Sequence, residues 1–269
     1  MTISKIDGDG GQLPRESERN TASVAAGQLL SSLKLDQGVE IELQKNLPLG
    51  SGMGSSAASA VAALMAVNEL AGNPYSKKDL VVFALESERV ACGSAHADNI
   101  APSLLGGFVL IRSYNPLDII SIPYPENLCC VLVHPDMELK TKDARQLLKS
   151  SVPLQDAVQQ WGNTAGLVAG LMRNDEELIG RAMHDLVAEP SRALLIPGYD
   201  SVKVEAKSAG AIGAGISGSG PTMFALCSSL KIAEQSGVAM TDAFKKAGLT
   251  SQQYISKLNR EGAQVNSNR

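Results

Sequence analysis

Aromatic side chains are scarce in this sequence: 4% of 269 residues, with a single Trp. A surface that binds single strands by stacking bases depends on such rings, so that class of partner is disfavoured. Excess positive charge is lacking too. The formal net charge is −4, the sequence pI is about 5.5, and no basic cluster stands out. Neither nucleic acid nor an anionic membrane is therefore expected as a partner. No apolar run reaches the ~20 residues that span a bilayer, and the Met1 end carries no signal-peptide core; a cytoplasmic location is the expectation. The four cysteines, Cys92, Cys129, Cys130 and Cys227, form no Cys-x-x-Cys pair. They read as small buried hydrophobes in a reducing compartment. What remains is ordinary globular material, 44% hydrophobic and 19% charged, long enough for one large or two modest domains at ~100–200 residues each.

Glycine, by contrast, is concentrated where it matters. The stretch Leu47-Pro48-Leu49-Gly50-Ser51-Gly52-Met53-Gly54-Ser55-Ser56-Ala57-Ala58 alternates three glycines with other residues, then opens a run of small apolar residues reaching Ala71. Glycine permits backbone angles closed to other residues and lets a ligand approach the main chain. Ser55 and Ser56 stand where a helix begins, so its first free N–H groups and the positive end of its dipole make an anion site. A phosphate-binding loop follows. It is not a Walker A loop, because no Lys follows the glycines. Nor does it fit a Rossmann turn: Ser55 holds the third glycine's place, and Val39–Gln44 before it alternates apolar and polar. That alternation predicts a half-buried, antiparallel strand. The bland alternative, a flexible Gly/Ser turn, sits poorly beside an uncharged, Ala-rich helix.

Around this loop the pattern predicts a strand over 2–6, a helix from Asn20 or Thr21 to Leu33, and a buried helix over 56–70 stopped by Gly72-Asn73-Pro74. Ser76 with Asp79 marks the next helix start. A polar patch, Ala91 to Asn99, lies between apolar segments and is either a hydrogen-bonded turn or a site. A hairpin turning at Asn115-Pro116 follows, then a linker at Ile122-Pro123-Tyr124-Pro125 and a strand over 128–134. Helical patterns occupy about 141–150, 154–172, 175–188 and the stretch ending near Lys207. Two short strands, 210–217 and 222–227, are joined by a second glycine loop, Gly218-Ser219-Gly220-Pro221. A helix to about Lys246 and a strand near 254–258 complete an α+β pattern with two layers per domain.

Pro-x-Gly-x-Gly-Met-Gly-Ser-Ser-Ala-Ala resembles the nucleotide loop of the GHMP kinases. The string Glu88-x7-His96-Ala97-Asp98-Asn99-x-Ala101-Pro102, ending in Leu105-Gly106-Gly107-Phe108, is similar to the central segment of their homoserine kinase branch. Val133-His134-Pro135, Thr141-Lys142-Asp143-Ala144-Arg145, Glu189-Pro190-x-Arg192 and Ile216-Ser217-Gly218-Ser219-Gly220-Pro221 follow in that branch's order. The resemblance runs from about residue 20 to the C-terminus. It implies a two-domain GHMP kinase architecture: a ribosomal-protein-S5-domain-2-like α/β domain over 1–123 that binds nucleotide, and a ferredoxin-like α+β domain over 124–269. It further implies ATP-dependent phosphorylation of the L-homoserine hydroxyl, on the route to threonine, with ATP and Mg²⁺ as cofactors.

The resemblance also implies roles. The backbone of Pro48–Ala58 would hold ATP. The Ser56 hydroxyl and the Glu88 carboxylate would hold Mg²⁺, which takes few protein oxygens beside phosphate oxygens; otherwise Glu88 is a solvated helix-end charge. Asn99 resembles the residue beside the substrate hydroxyl, and an amide is no base, so catalysis without a strong protein base is implied. His96 donates to substrate or is a satisfied turn histidine, while Asp98 reads as structural. Arg145 and Arg192 would clamp the substrate carboxylate and the transferred phosphoryl group, with Thr141 adding a hydroxyl one turn before Arg145; the alternative for each Arg is a surface ion pair. Gly218, Ser219 and Gly220 would close over the site, or form a plain hairpin. One departure is that an Asn-x-Gly-x-Gly-x-Asp-like segment, found near the start of such kinases, is not seen, so truncation or an upstream start is expected. A GHMP kinase for another small alcohol, and an inactive fragment that only binds nucleotide, stay open. The sequence does not set the oligomeric state, and a homodimer is admissible.

Overall fold

Asn20 starts the first helix: its side-chain oxygen accepts from the Ala22 N–H, and the helix α1 runs Thr21–Leu33. A computed structural model describes residues 1–93, 95–139, 144 and 146–266, which divide into two units. The first holds Met1–Leu49, Gly54–Ser121 and Asn259 onward; the second holds Gly50–Met53 and Ile122–Leu258.

In the first unit α1 packs on α2 (Ser55–Leu70) and on α3 (Lys77–Cys92). The contact is made of small residues, Ala22, Ala25 and Ala26 on α1 and Ala57, Ala60 and Val61 on α2, with Leu29 and Leu64 filling behind them. Short side chains let the axes approach closely. α3 begins with the reciprocal Ser76/Asp79 box, and a short α4 (Ile100–Leu105) adds Ile100, Ala101 and Leu104 to the same core. Strands β3 (Phe108–Tyr114) and β4 (Leu117–Ile122) form the expected hairpin.

β1 (Thr2–Asp7) and β2 (Glu40–Gln44) pair in parallel, which corrects the antiparallel expectation. The in-and-out alternation of β2 reports one covered face, not strand direction. Direction is set by α1, which carries the chain back so that both strands run the same way, as a parallel pair requires. Residues after Leu258 return to this unit: Ala263 N–H donates to the Ser103 carbonyl and Lys77 Nζ to that of Glu261.

The second unit is built on a four-stranded antiparallel sheet in the order β6 (Gly213–Ile216), β7 (Met223–Cys227), β5 (Cys129–Pro135), β8 (Ser251–Lys257). Helices α5 (Leu154–Arg173), α6 (Glu176–Ala182), α7 (Glu189–Arg192), α8 (Tyr199–Ser208) and α9 (Leu230–Lys246) belong to it. Val131, Val133, Met223, Ala225 and Cys227 cover one sheet face and meet Val202, Ala206, Met240 and Phe244 of α8 and α9. Cys129, Cys130 and Cys227 are free thiols, and burial pushes that of Cys130 up to about 12, away from nucleophilic use. The helix expected over 175–188 stops at Ala182. Beyond it the Asp185 carboxylate accepts the N–H groups of Val187, Ala188 and Glu189, offering the backbone an alternative to helix over 185–188 and leading into α7, which has Pro190 in its first turn. Of the helix expected over 141–150, residues 141–143 and 145 lie outside the described residues, and 147–150 are turn, bend and irregular chain rather than helix.

Candidate active site

The glycine loop adopts the backbone that its composition calls for. Gly50, Gly52 and Gly54 have φ of 60°, 78° and 72°, the left-handed region in which other residues are strained. Gly54 is the N-cap of α2, and no side chain caps that first turn. Its N–H groups are thus available to an anion, favoured further by the helix dipole.

Around this turn the first unit gathers several groups. Ser56 Oγ lies 3.3 Å from a Glu88 carboxylate oxygen, although 32 residues separate them, and Glu88 is only 4% exposed. That overturns the bland reading of Glu88 as a solvated helix-end charge. Asn99 stands before α4 without capping it. Its Oδ1 faces Gly54 so closely that a β-carbon there would lie 3.2 Å away. The Ala97 N–H beside it is held by Tyr114 Oη. His96 is half-buried and Asp98 exposed.

In the second unit, Gly50–Met53 lies directly on the second glycine loop. Ser217 Oγ donates to the Gly52 carbonyl at 3.0 Å, and the Thr222 N–H to the Ser51 carbonyl at 3.2 Å. A β-carbon on Gly52 would come within 2.3 Å of the Ser217 carbonyl oxygen, and one on Gly218 within 2.8 Å of the Gly52 carbonyl oxygen. The second loop is therefore more than a plain hairpin. Thr222 is fully buried and its hydroxyl meets His134 Nδ1 at 3.0 Å; burial lowers the imidazole's proton affinity. Arg192 Nη1 donates to the Gly218 carbonyl at 2.8 Å, which ties this guanidinium to the loop.

The short helix carrying Arg192 is anchored by a pair that spacing gave no sign of. Lys203 Nζ meets the Glu189 carboxylate at 2.5 Å and Tyr199 Oη at 3.0 Å, with the Glu189 side chain 8% and the Lys203 side chain 21% exposed. Burial, together with Glu189, pushes the Tyr199 hydroxyl pKa upward and keeps it neutral. Lys203→Met would strand the carboxylate, and a loss of about 3 kcal/mol is expected. Adding Glu189→Gln should restore most of it. Urea unfolding of both variants checks this.

Of the residues expected in the site, Pro48 and Leu49 are half-buried before the loop, Ala57 is buried against α1, and the Ala58 N–H closes the first turn on the Gly54 carbonyl. Ser219 and Gly220 are buried in the second loop. Thr141 and Arg145 lie outside the described residues. Lys45 was missed. Ile41, Leu43 and Lys45 share one side of β2 by period two, so a polar residue at an inward position was the signal.

This arrangement has relatives. The family described as GHMP kinases N terminal domain matches residues 20–107, and that described as GHMP kinases C terminal matches 167–246. The homoserine kinase of Chlorobium phaeobacteroides is 55% identical over 98% of this chain and 85% of its own length. That of Xylella fastidiosa is 41% identical over 98% and 81%. The crystal structure of homoserine kinase from Cytophaga hutchinsonii superposes with a TM-score of 0.94 at 52% identity, covering 97% of this chain and 83% of that one. Mevalonate kinase of L. major, at 20% identity and a TM-score of 0.65, shares the fold. The chain has the two-domain α+β fold of the GHMP kinases and belongs to the homoserine kinase family.

Proposed function

We propose that this chain transfers the γ-phosphoryl group of ATP to the side-chain hydroxyl of L-homoserine, giving O-phospho-L-homoserine and ADP in the cytoplasm, on the route to threonine. The observation that carries it is the uncapped start of α2, with Ser56 on Glu88 and Asn99 against Gly54. The transferred group passes through a loose transition state, so the protein's work is positioning and charge neutralisation. Backbone N–H groups from Gly50 to Ser56 hold the polyphosphate. Among the described residues no three His, Cys, Asp or Glu side chains form a complete metal cage. The Ser56 hydroxyl and the Glu88 carboxylate still fit Mg²⁺, an oxygen-seeking ion that shares its coordination with phosphate and water. When bound, Mg²⁺ neutralises charge on the phosphate oxygens.

Asn99 orients the attacking hydroxyl. An amide does not take up its proton, which leaves as the new P–O bond forms and ends on the phosphate or solvent. Arg192, held by the second glycine loop, neutralises the phosphoryl oxygens or the substrate carboxylate, with Arg145, Thr141 and His96 as further substrate contacts. No helix among the described residues is long and apolar enough to cross a membrane. Incubation with Mg-ATP and L-homoserine, followed by phosphorus NMR, tests the proposal. One phosphate monoester per ADP is expected, with both products lost on chelation by EDTA. ADP formed without a monoester would refute it.

A further inference from the structure

The strand that enters the glycine loop leads to a charge facing inward. Lys45, the residue after β2, is 8% exposed, and its Nζ donates to the Ser55 carbonyl and to Ser59 Oγ, both at 2.6 Å. The ammonium therefore lies under the first turn of α2. Lysine head groups ordinarily reach solvent while the stem covers apolar surface; this one is turned in. Packing alone does not call for it, since Met would fill a similar volume without burying a charge. Helix stability does not call for it either, because helix N-termini favour acids over cations.

The neighbouring elements leave the charge largely uncompensated. α1 holds no ionisable residue and α2 none before Glu69. On α3, Glu88 faces Ser56. On β1, Asp7 is paired with Lys5. Asp9 favours the ammonium from the loop after β1, but its carboxylate also accepts the N–H groups of Gly11 and Leu13 and feels Arg15. Burial outweighs Asp9 and pushes Lys45 down to about 8.

We propose that Lys45 is a positioning residue for the nucleotide, a buried cation that raises the positive potential at the free N–H groups of α2 and so tightens their hold on the polyphosphate. A Walker loop carries its lysine after the glycines; here the equivalent charge comes from behind, at the end of the preceding strand. The inference rests on the reading of Gly50–Ser56 as the nucleotide loop. Its sign with pH is fixed: the amine loses its proton as pH rises through about 8, so affinity for a phosphorylated nucleotide falls above that point while affinity for the bare nucleoside does not.

The test is calorimetric titration of the full chain with ADP and with adenosine at pH 7.5 and 9.5, for wild type, Lys45→Met and Ser59→Ala. In wild type the ADP Kd should rise on the order of tenfold between the two pH values, with adenosine unchanged. Lys45→Met should bind ADP about tenfold more weakly at pH 7.5 and show no further loss at 9.5. Ser59→Ala keeps the cation and should keep the pH response. Absence of ADP binding to wild type would overturn the loop reading and the inference with it. ADP binding that is flat with pH in wild type, or equal in wild type and Lys45→Met, would leave the loop reading intact and reduce Lys45 to a structural role. Should Lys45→Met fail to fold, the wild-type profile decides.

Discussion

Glu88→Gln is expected to lower kcat by on the order of 10²-fold while the apo melting temperature stays within a few degrees of wild type. The shape of the side chain is kept, so its buried neighbours stay in place. What is lost is the negative charge 3.3 Å from the Ser56 hydroxyl. If that oxygen pair holds Mg²⁺, the lost carboxylate weakens binding of the ion and removes about 3 kcal/mol of transition-state stabilisation. Folding should not suffer, because the group is only 4% exposed and an ion buried at a functional site is a poor contributor to stability. The Mg²⁺ concentration for half-maximal rate should rise with the fall in kcat. Wild-type activity at ordinary Mg²⁺ would show that the carboxylate holds no metal.

Gly52→Ala should be as damaging, through the backbone. The residue has φ of 78°, and its β-carbon would lie 2.3 Å from the Ser217 carbonyl oxygen and 2.8 Å from the backbone of Gly220. Neither is the end of a flexible side chain, so one loop must move off the other. Strain and overpacking together are expected to cost about 2–4 kcal/mol, and displacement of the loop should abolish the ATP-induced rise in melting temperature. Gly72→Ala is the control. Its φ of 83° is equally unfavourable, yet nothing stands within 4 Å of a β-carbon there. About 1–2 kcal/mol should be lost with the ATP shift retained. A shift preserved in Gly52→Ala would mean that the contact between the loops is dispensable for nucleotide.

Much of the fold is legible because its signals are local. Asn20 caps α1, Ser76 and Asp79 box the start of α3, and the glycines at 50, 52 and 54 demand a left-handed backbone that nothing else supplies cheaply. What escapes is non-local. The pairing of β2 with β1 depends on where α1 returns the chain, and alternation is blind to it. Asp185 holds the turn before α7 by accepting three N–H groups ahead of it, which its own apolar neighbours do not foretell. Glu189 and Lys203 meet across 14 residues and a 3₁₀ turn, outside any helical spacing. In the candidate site, Glu88 and Asn99 come from the family resemblance; periodicity alone marks neither. Lys45 continues the inward side of Ile41 and Leu43 one residue past the end of β2, where alternation counted over the strand alone does not reach.

The identity of the acceptor is decided by a coupled ADP assay across L-homoserine, mevalonate and galactose at saturating Mg-ATP. A kcat/KM for L-homoserine on the order of 10²-fold or more above the other two is expected, since a site that pairs a carboxylate and a hydroxyl rejects substrates that leave its polar groups unmatched. A higher kcat/KM with mevalonate or galactose would contradict it.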